Sequence, residues 1–379
     1  MKTYKKLIAV AVLGGFAQMA QADINIGVVA SLTGPAAALG SDIKRAVGLM
    51  PTSIGNEKIN YIVLDDATDP TTAVKNTRKL VSEDKVDAIL GPNTNPNAAA
   101  MMPVIDEGKT PMIVITPYDP PADKRAWVFR SVQSAGLMVQ RIVDDMAENK
   151  VKTVGFIGFA DGWGELLYKE LETSAKAANI NIVASERYKR PDTSVTGQVL
   201  KLLAAKPDVV FVGASGAPAA LPQIELRQRG YTGKIYQSHG VTSKDFLRIG
   251  GKNVEGALIP VGPVLVADQL PDAHPSKKVG VGLNTSYEKA HGPDSRSTFA
   301  GSTWDAWLLL QNALPAALKV AKPGTVEFRQ ALRDNLERTK ELVGVNGVYN
   351  MTPQDHTGLD QRARVLIQVK DGDWKYYKQ

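Results

Sequence analysis

Apolar and polar positions alternate along this chain in two long blocks, each reading as strand, helix, strand, helix. In the first block, Ile24 to Val29 and Ile59 to Leu64 predict strands, as do the short apolar runs Val86 to Leu90 and Met112 to Ile115. Helices are predicted between them. One begins near Ala36 and stops before Pro51, and one starts after Asp69-Pro70, a cap followed by proline, with Ala73, Val74, Thr77, Leu80 and Val81 on one face. A third runs from about Pro96 to Glu107. The second block repeats the rhythm. Helix Leu137 to Glu148 leads to strand Thr153 to Ile157, a loop at Asp161 to Gly164, and helix Glu165 to Ala178. Strand Ile180 to Ala184, helix Ser194 to Ala205, strand Val209 to Val212, helix Pro218 to Arg229 and strand Ile235 to Ser238 follow. Strands alternating with helices imply a parallel sheet covered by helices, joined by right-handed crossovers. Two such blocks imply two similar α/β lobes.

Beyond Val254 to Pro263 the rhythm weakens. Helices over Lys277 to His291, Thr303 to Val320 and Val326 to Leu336, with an antiparallel ending at Arg364 to Val369 and Trp374 to Tyr377, are too few for a third domain. They are expected to return and complete the lobes, so the chain crosses between them more than once. The expected division is 23–138 plus about 266–350 for one lobe and 139–265 plus about 351–379 for the other.

The stretch Lys85 to Pro117 carries the first candidate chemistry. Asn93-Thr94-Asn95 stands between a strand end and a helix start, where side-chain amides, a hydroxyl and free backbone N–H groups favour an anion. The next strand ends at Thr116-Pro117-Tyr118-Asp119, which emerges beside the first loop if the two strands are parallel neighbours. Ligands of open α/β sheets bind at such strand ends. Read from local chemistry alone, both loops serve equally well as caps and turns.

The N-terminus has the form of an export signal. Lys2, Lys5 and Lys6 precede the apolar run Leu7 to Ala17, and Ala20-Gln21-Ala22 offers small residues for cleavage after Ala22. The run is too short to span a bilayer. The sequence has no cysteine, which excludes disulfides and a lipid-bearing cysteine at the cleavage site. Three of the 45 Lys and Arg residues lie in this segment, leaving 42 against 39 acidic residues. With basic residues scattered and only 6% aromatic content, nucleic acid is not an expected partner.

Taken together, several motifs are similar in order and spacing to the periplasmic solute-binding proteins of branched-chain-amino-acid-type ABC transporters. They are Ile26-Gly27 to Gly34-Pro35 with Gly40, Asp65-Asp66 with Asp69-Pro70, Leu90-Gly91-Pro92, Thr110-Pro111 with Thr116-Pro117, Phe129-Arg130, and Gly162-Trp163-Gly164. The resemblance runs from about Asp23 to Val369. It implies the periplasmic-binding-protein-like I fold, two doubly wound parallel-sheet lobes joined by a multi-strand hinge, with ligand held in the cleft between them. It further implies a periplasmic, monomeric protein that needs no cofactor and delivers its ligand to ABC transporter permease subunits.

By resemblance, the ligand-binding positions are Thr94 and Asn95 for a carboxylate, Tyr118 and Asp119 on the next loop, Trp163 as aromatic cover, Ser215 on the loop after it, and Phe299 as apolar wall. Two departures bear on the ligand. Amino-acid binders of this family carry an acid after the strand corresponding to Ile235 to Ser238, to pair with the ligand's ammonium, whereas this chain has His239, a poor ammonium partner. Pro120 stands where a hydroxyl residue is usual and has no N–H to donate. With Tyr118, Trp163 and Phe299 around the expected cleft, the residues favour a flat, apolar acid: an aromatic carboxylate with its ring between Trp163 and Tyr118 and its anionic group near Asn95 or His239. Asp119 could instead supply the missing acid, which leaves an amino acid as the alternative ligand. Each position also has a plain structural role open to it: His239 as a strand-to-helix cap, Phe299 as core, Arg130 as a structural pairing residue.

Catalysis finds no support in the sequence. There is no cysteine nucleophile, G-x-S-x-G elbow, Walker loop or G-x-G-x-x-G loop, and His239, His274, His291 and His356 lack metal-site spacing. A repressor on the same fold would need a DNA-binding start, and a receptor a membrane helix near the end. A periplasmic sensory role is the remaining alternative to transport.

Overall fold

A computed structural model describes residues 23–377; the expected export signal, Met1 to Ala22, lies outside the described residues. The first block forms β1 (Ile24–Ala30), α1 (Ala37–Val47), β2 (Ser53–Ile54), β3 (Glu57–Asp65), α2 (Pro70–Arg78), β4 (Ala88–Leu90), α3 (Asn95–Gly108), β5 (Met112–Val114) and β6 (Val128–Arg130). The second forms α4 (Ala135–Glu148), β7 (Thr153–Phe159), α5 (Gly162–Ala177), β8 (Asn181–Tyr188), α6 (Thr196–Ala204), β9 (Val209–Gly213), α7 (Ala220–Gln228), β10 (Lys234–Gln237), α8 (Lys244–Gly250) and β11 (Leu258–Val261). The remainder gives α9 (Lys277–His291), α10 (Thr298–Ala317), α11 (Val326–Glu337), a small hairpin of β12 (Leu342–Val343) and β13 (Val348–Tyr349), and the closing strands β14 (Val365–Lys370) and β15 (Asp373–Tyr376).

Six strands make one sheet in the order β2-β3-β1-β4-β5-β6, and seven make the other in the order β15-β14-β11-β10-β9-β7-β8. Their parallel portions, β3-β1-β4-β5-β6 and β8-β7-β9-β10-β11, share one winding order. The strand order reverses at β1/β4 in the first sheet and at β7/β9 in the second. These are the switch points where doubly wound sheets open a crevice at their carboxyl ends.

Each sheet buries an apolar layer on both faces, which is why its central strands are continuous apolar runs. On the first sheet, Ile26, Val28 and Leu90 pack with Trp307, Leu310 and Leu314 of α10 and Phe328 of α11, while Val29, Ile89 and Val114 pack with Met101, Met102 and Ile105 of α3. On the second, Ile157, Val210 and Ile235 lie on one side and Val154, Phe156 and Phe211 on the other. The late helices α10 and α11 thus complete the first lobe. β14 and β15, antiparallel as the sequence predicts, extend the second sheet.

Three connections join the two sheets: one after β6, one after β11 and one ahead of β14. They are fastened to one another. Gln133 Nε2 donates to the carbonyls of Asn346 (3.2 Å) and Ala363 (2.8 Å), and the Tyr349 hydroxyl lies 2.7 Å from Ser131 O and 3.0 Å from Asp305 Oδ2. Asp305, fully buried, also accepts from the backbone N–H of Val345 (2.7 Å) and Asn346 (2.9 Å). Burial pushes its carboxyl up to about 7 against the pull of those donors. Gly262 admits the close approach, since a Cβ there would meet Asn346 Oδ1 and Gln133 Nε2.

Candidate ligand site between the lobes

In the first lobe, three strand ends are knotted together by short polar side chains. Ser31, just past β1, donates its backbone N–H to Asn93 Oδ1 (2.9 Å) and its hydroxyl to Asp66 Oδ1 (2.7 Å). Thr116 Oγ1 donates to Asn95 Oδ1 at 2.6 Å, so the loops after β4 and β5 do emerge side by side. Between them α3 starts without a side-chain cap. Thr94 occupies the cap position in extended conformation, yet its hydroxyl bonds to nothing. Asn93 Nδ2, Asp66 Oδ2 and both amide atoms of Asn97 are likewise buried without a protein partner. An unmade bond on a buried polar atom costs about 1–3 kcal/mol, and four residues with such atoms, Asp66, Asn93, Thr94 and Asn97, lie together near this switch point.

In the second lobe, Asp161 caps α5. Its Oδ1 accepts from the N–H groups of Trp163 (2.9 Å) and Gly164 (3.1 Å). The cap begins the helix at Gly162, three residues before the sequence-predicted start at Glu165, so Trp163 stands in the first helical turn and not in a loop. Glycine is required at 164, where a Cβ would lie 2.0 Å from the Phe159 carbonyl oxygen. Trp163 is half-buried, with its indole N–H toward Ala214 O (3.4 Å) and its ring edge-on to His239 at 5.2 Å between centroids and 85° between planes. The loop after β10 is pinned to the loop after β9: Gly216 N–H donates to Gly240 O (2.8 Å), and the Ser238 hydroxyl donates to Ala214 O. The structure therefore brings Trp163, Ser215 and His239 together at the ends of β7, β9 and β10.

His239 Nδ1 has no partner, and burial lowers the imidazole to about 4, so the ring is neutral at ordinary pH. A cation that the sequence reading missed stands beside this group. Arg190, just past β8, donates Nε to Asp161 Oδ2 (2.6 Å) and Nη1 to Ser215 Oγ (3.2 Å), and lies 4.2 Å over the Phe159 ring. Only its position after a strand could have flagged it, because Lys189 and Arg190 read as a solvated turn.

Helix α10 starts at Thr298, five residues before the predicted start at Thr303, because Ser297 accepts from the N–H groups of Phe299 and Ala300, and so Phe299 sits in its first turn. Its ring is half-buried against the first-lobe core. Beside it, the Thr298 hydroxyl lies 3.1 Å from that of Thr242 in the second lobe.

Tyr118 and Asp119 depart from expectation. The Tyr118 hydroxyl donates to Met102 Sδ (2.9 Å) on the α3 face of the first lobe, where burial and the neighbouring Asp119 charge push the phenol up. Asp119 is 73% exposed in its side chain and lies 3.8 Å from Arg130. Met102 offers the hydroxyl an acceptor on the lobe's own helix, and Arg130 holds the Tyr118 carbonyl (3.0 Å), so the loop turns toward β6. Both residues line a small cavity of about 40 Å³ at that edge with Arg125 and His356. Tyr118 thus packs on the α3 side of the first lobe and Asp119 beside Arg130, while Trp163 and His239 pair with each other in the second lobe.

Residues 23–373 match the Periplasmic binding protein family. The chain belongs to that family. Its members are solute-binding proteins and not enzymes. Among relatives of this binding protein, the Leu/Ile/Val-binding protein homolog 3 of Brucella melitensis is 29% identical over 260 residues, 66% of this chain and 70% of that protein. An extracellular ligand-binding receptor from Rhodopseudomonas palustris is 44% identical, with a TM-score of 0.90 over 94% of this chain and 99% of that one. A leucine binding protein from Thermotoga maritima, 20% identical with a TM-score of 0.79 over 94% of this chain and 98% of its own, shares the two-lobed fold. Among the described residues no helix is long and apolar enough to cross a membrane.

Proposed function

We propose that this binding protein is the substrate-capturing component of an ABC importer, working as a monomer in the periplasm, and that its cargo is a small aromatic or related apolar carboxylic acid. The observation that carries the reading is the Trp163–His239 pair. A neutral imidazole stands where the amino-acid binders of the resembled group keep an acid, so the loop after β10 offers a ring surface and no counter-charge for an ammonium group, and the nearby Asp161 carboxylate is already engaged by Arg190 and the start of α5. The carboxylate would sit at the uncapped start of α3, among Thr94, Asn95, the unpartnered Nδ2 of Asn93 and the unpartnered amide of Asn97. Phe299 supplies an apolar wall from the first lobe. Capture follows from two-sided contact: ligand bound to both lobes stabilises the form in which they meet, and the joined lobes then present a surface to a permease.

A branched-chain amino acid is the second reading, favoured by the similarity to relatives such as the Leu/Ile/Val-binding protein homolog 3 of Brucella melitensis. Intrinsic fluorescence separates the two because Trp163 lies in the site. Titration with benzoate or phenylacetate should change the tryptophan emission saturably, whereas leucine, isoleucine and valine should not. Saturation with leucine alone would replace the first reading with the second.

A further inference from the structure

The two lobes touch through a pair of side-chain hydroxyls whose direction can be worked out. Thr242 Oγ1 donates to the His239 carbonyl at 3.4 Å, which uses its single proton. With that proton so placed, the 3.1 Å contact runs from Thr298 to Thr242. The result is a relay from the first turn of α10, across the junction, to the backbone of the residue that faces Trp163. Thr298 immediately precedes Phe299, and Thr242 closes the turn His239–Val241. Neither threonine has another structural duty for its hydroxyl. Ser297 caps α10, Ser238 accepts from Gly240 N–H, and Ser243 caps α8.

We propose that Thr298 and Thr242 form an interlobe clasp, positioning residues that hold His239 and Phe299 on opposite sides of the ligand and that set the ratio of joined to separated lobes. The clasp rests on the reading of the protein as a two-lobed ligand trap, but it acts on the lobes whatever the ligand is. Separation of the lobes by more than about an ångström takes a 3.1 Å hydrogen bond out of range. The clasp therefore exists in the joined form and not in the separated one, and its loss favours separation. A partly buried neutral hydrogen bond shifts such a ratio about threefold to tenfold.

The test uses the absence of cysteine from the sequence. Thr71→Cys on the first lobe and Thr193→Cys on the second, both exposed, take a spin-label pair whose distance distribution reports lobe separation without ligand. Thr298→Val, which keeps shape and removes the hydroxyl, is expected to shift the distribution toward longer distances, and Thr298→Ser to restore it. In titrations with benzoate or phenylacetate, Thr298→Val should weaken binding about threefold to tenfold, mainly through faster dissociation. The double variant Thr242→Val with Thr298→Val should lose no more than Thr242→Val alone, as for two halves of one interaction. Additive losses, or a distance distribution unchanged by Thr298→Val, overturn the clasp. If no carboxylate binds at all, the ligand reading fails while the ligand-free distances still decide the clasp. If carboxylates bind and both distance and affinity ignore Thr298→Val, the clasp fails while the ligand reading stands.

Discussion

Truncating Trp163 to alanine separates the ligand surface from the fold that carries it. The indole is half-buried, wedged against the apolar layers on both faces of the second sheet, and its N–H makes only a long bond to Ala214 O at 3.4 Å. A tryptophan buries about 150–250 Å² when fully enclosed, so about 100 Å² is at stake in folding, or about 2.5 kcal/mol at about 25 cal/mol per Å². That lowers stability without unfolding a domain of this size. On the ligand side, a ring laid on the remaining face would cover about 60 Å² of indole, worth about 1.5 kcal/mol, and the aromatic pair adds about 0.5–1.5 kcal/mol. The sum of about 2–3 kcal/mol is a 30- to 150-fold loss of affinity for a ring-bearing acid, about the same at any pH at which His239 is neutral. Ser215→Ala is the control. It removes one partner of Arg190 Nη1 and should cost less than about 1 kcal/mol. Titration calorimetry gives both affinities, and urea unfolding confirms that each variant is folded under the assay conditions. Losses within about threefold of one another would take Trp163 out of the site and with it the argument for a ring.

Three further outcomes are expected. His239→Glu places a carboxylate where amino-acid binders of the resembled group have one; leucine affinity should rise at least about tenfold while aromatic-acid affinity falls, and no gain for leucine would show that the loop after β10 does not meet the ligand's head group. The imidazole of His239, lowered to about 4 by burial, should show no titration by NMR between pH 5.5 and about 8, and should cost the protein stability as pH falls from 6.5 toward 4; a midpoint near 6.5 would refute its burial. Asp305, raised to about 7 at the crossing segments, binds its proton more tightly folded than unfolded, so its contribution to stability falls as pH rises from about 4 to about 7. Asp305→Asn should remove that part of the slope in urea unfolding at pH 5 and pH 8, and an unchanged slope would place the titration elsewhere.

The lobes were legible because their strands are buried on both faces and so read as unbroken apolar runs, Val209 to Val212 being a clear instance. Helix starts were legible where a cap adjoins proline, as at Asp69-Pro70, and misplaced where a serine or aspartate cap lies upstream of a polar or glycine-rich first turn. Asp161 before Gly162-Trp163-Gly164 and Ser297 before Thr298-Phe299 are both of that kind. β6, with three residues, and the β12–β13 hairpin are too short to show a period. In the site, Trp163, Ser215 and His239 were named by resemblance to the family, and the structure sets each just past a parallel strand beside the switch point. Tyr118 does not, since its direction depends on Met102, 16 residues away on another element. Arg190 and the Thr242–Thr298 contact are likewise tertiary, joining residues with no local pattern to mark them.

The nature of the cargo is tested most directly by thermal unfolding of the purified protein against two panels, aromatic carboxylates and the branched-chain amino acids leucine, isoleucine and valine. A ligand held only by the folded state adds RT ln(1 + [L]/Kd), about 2.7 kcal/mol at a hundredfold excess over Kd, which is a rise of a few degrees for a chain this long. An aromatic cargo predicts that the transition moves with members of the aromatic panel and stays in place with the amino acids. A shift with leucine, isoleucine or valine and none with the aromatic acids would contradict it.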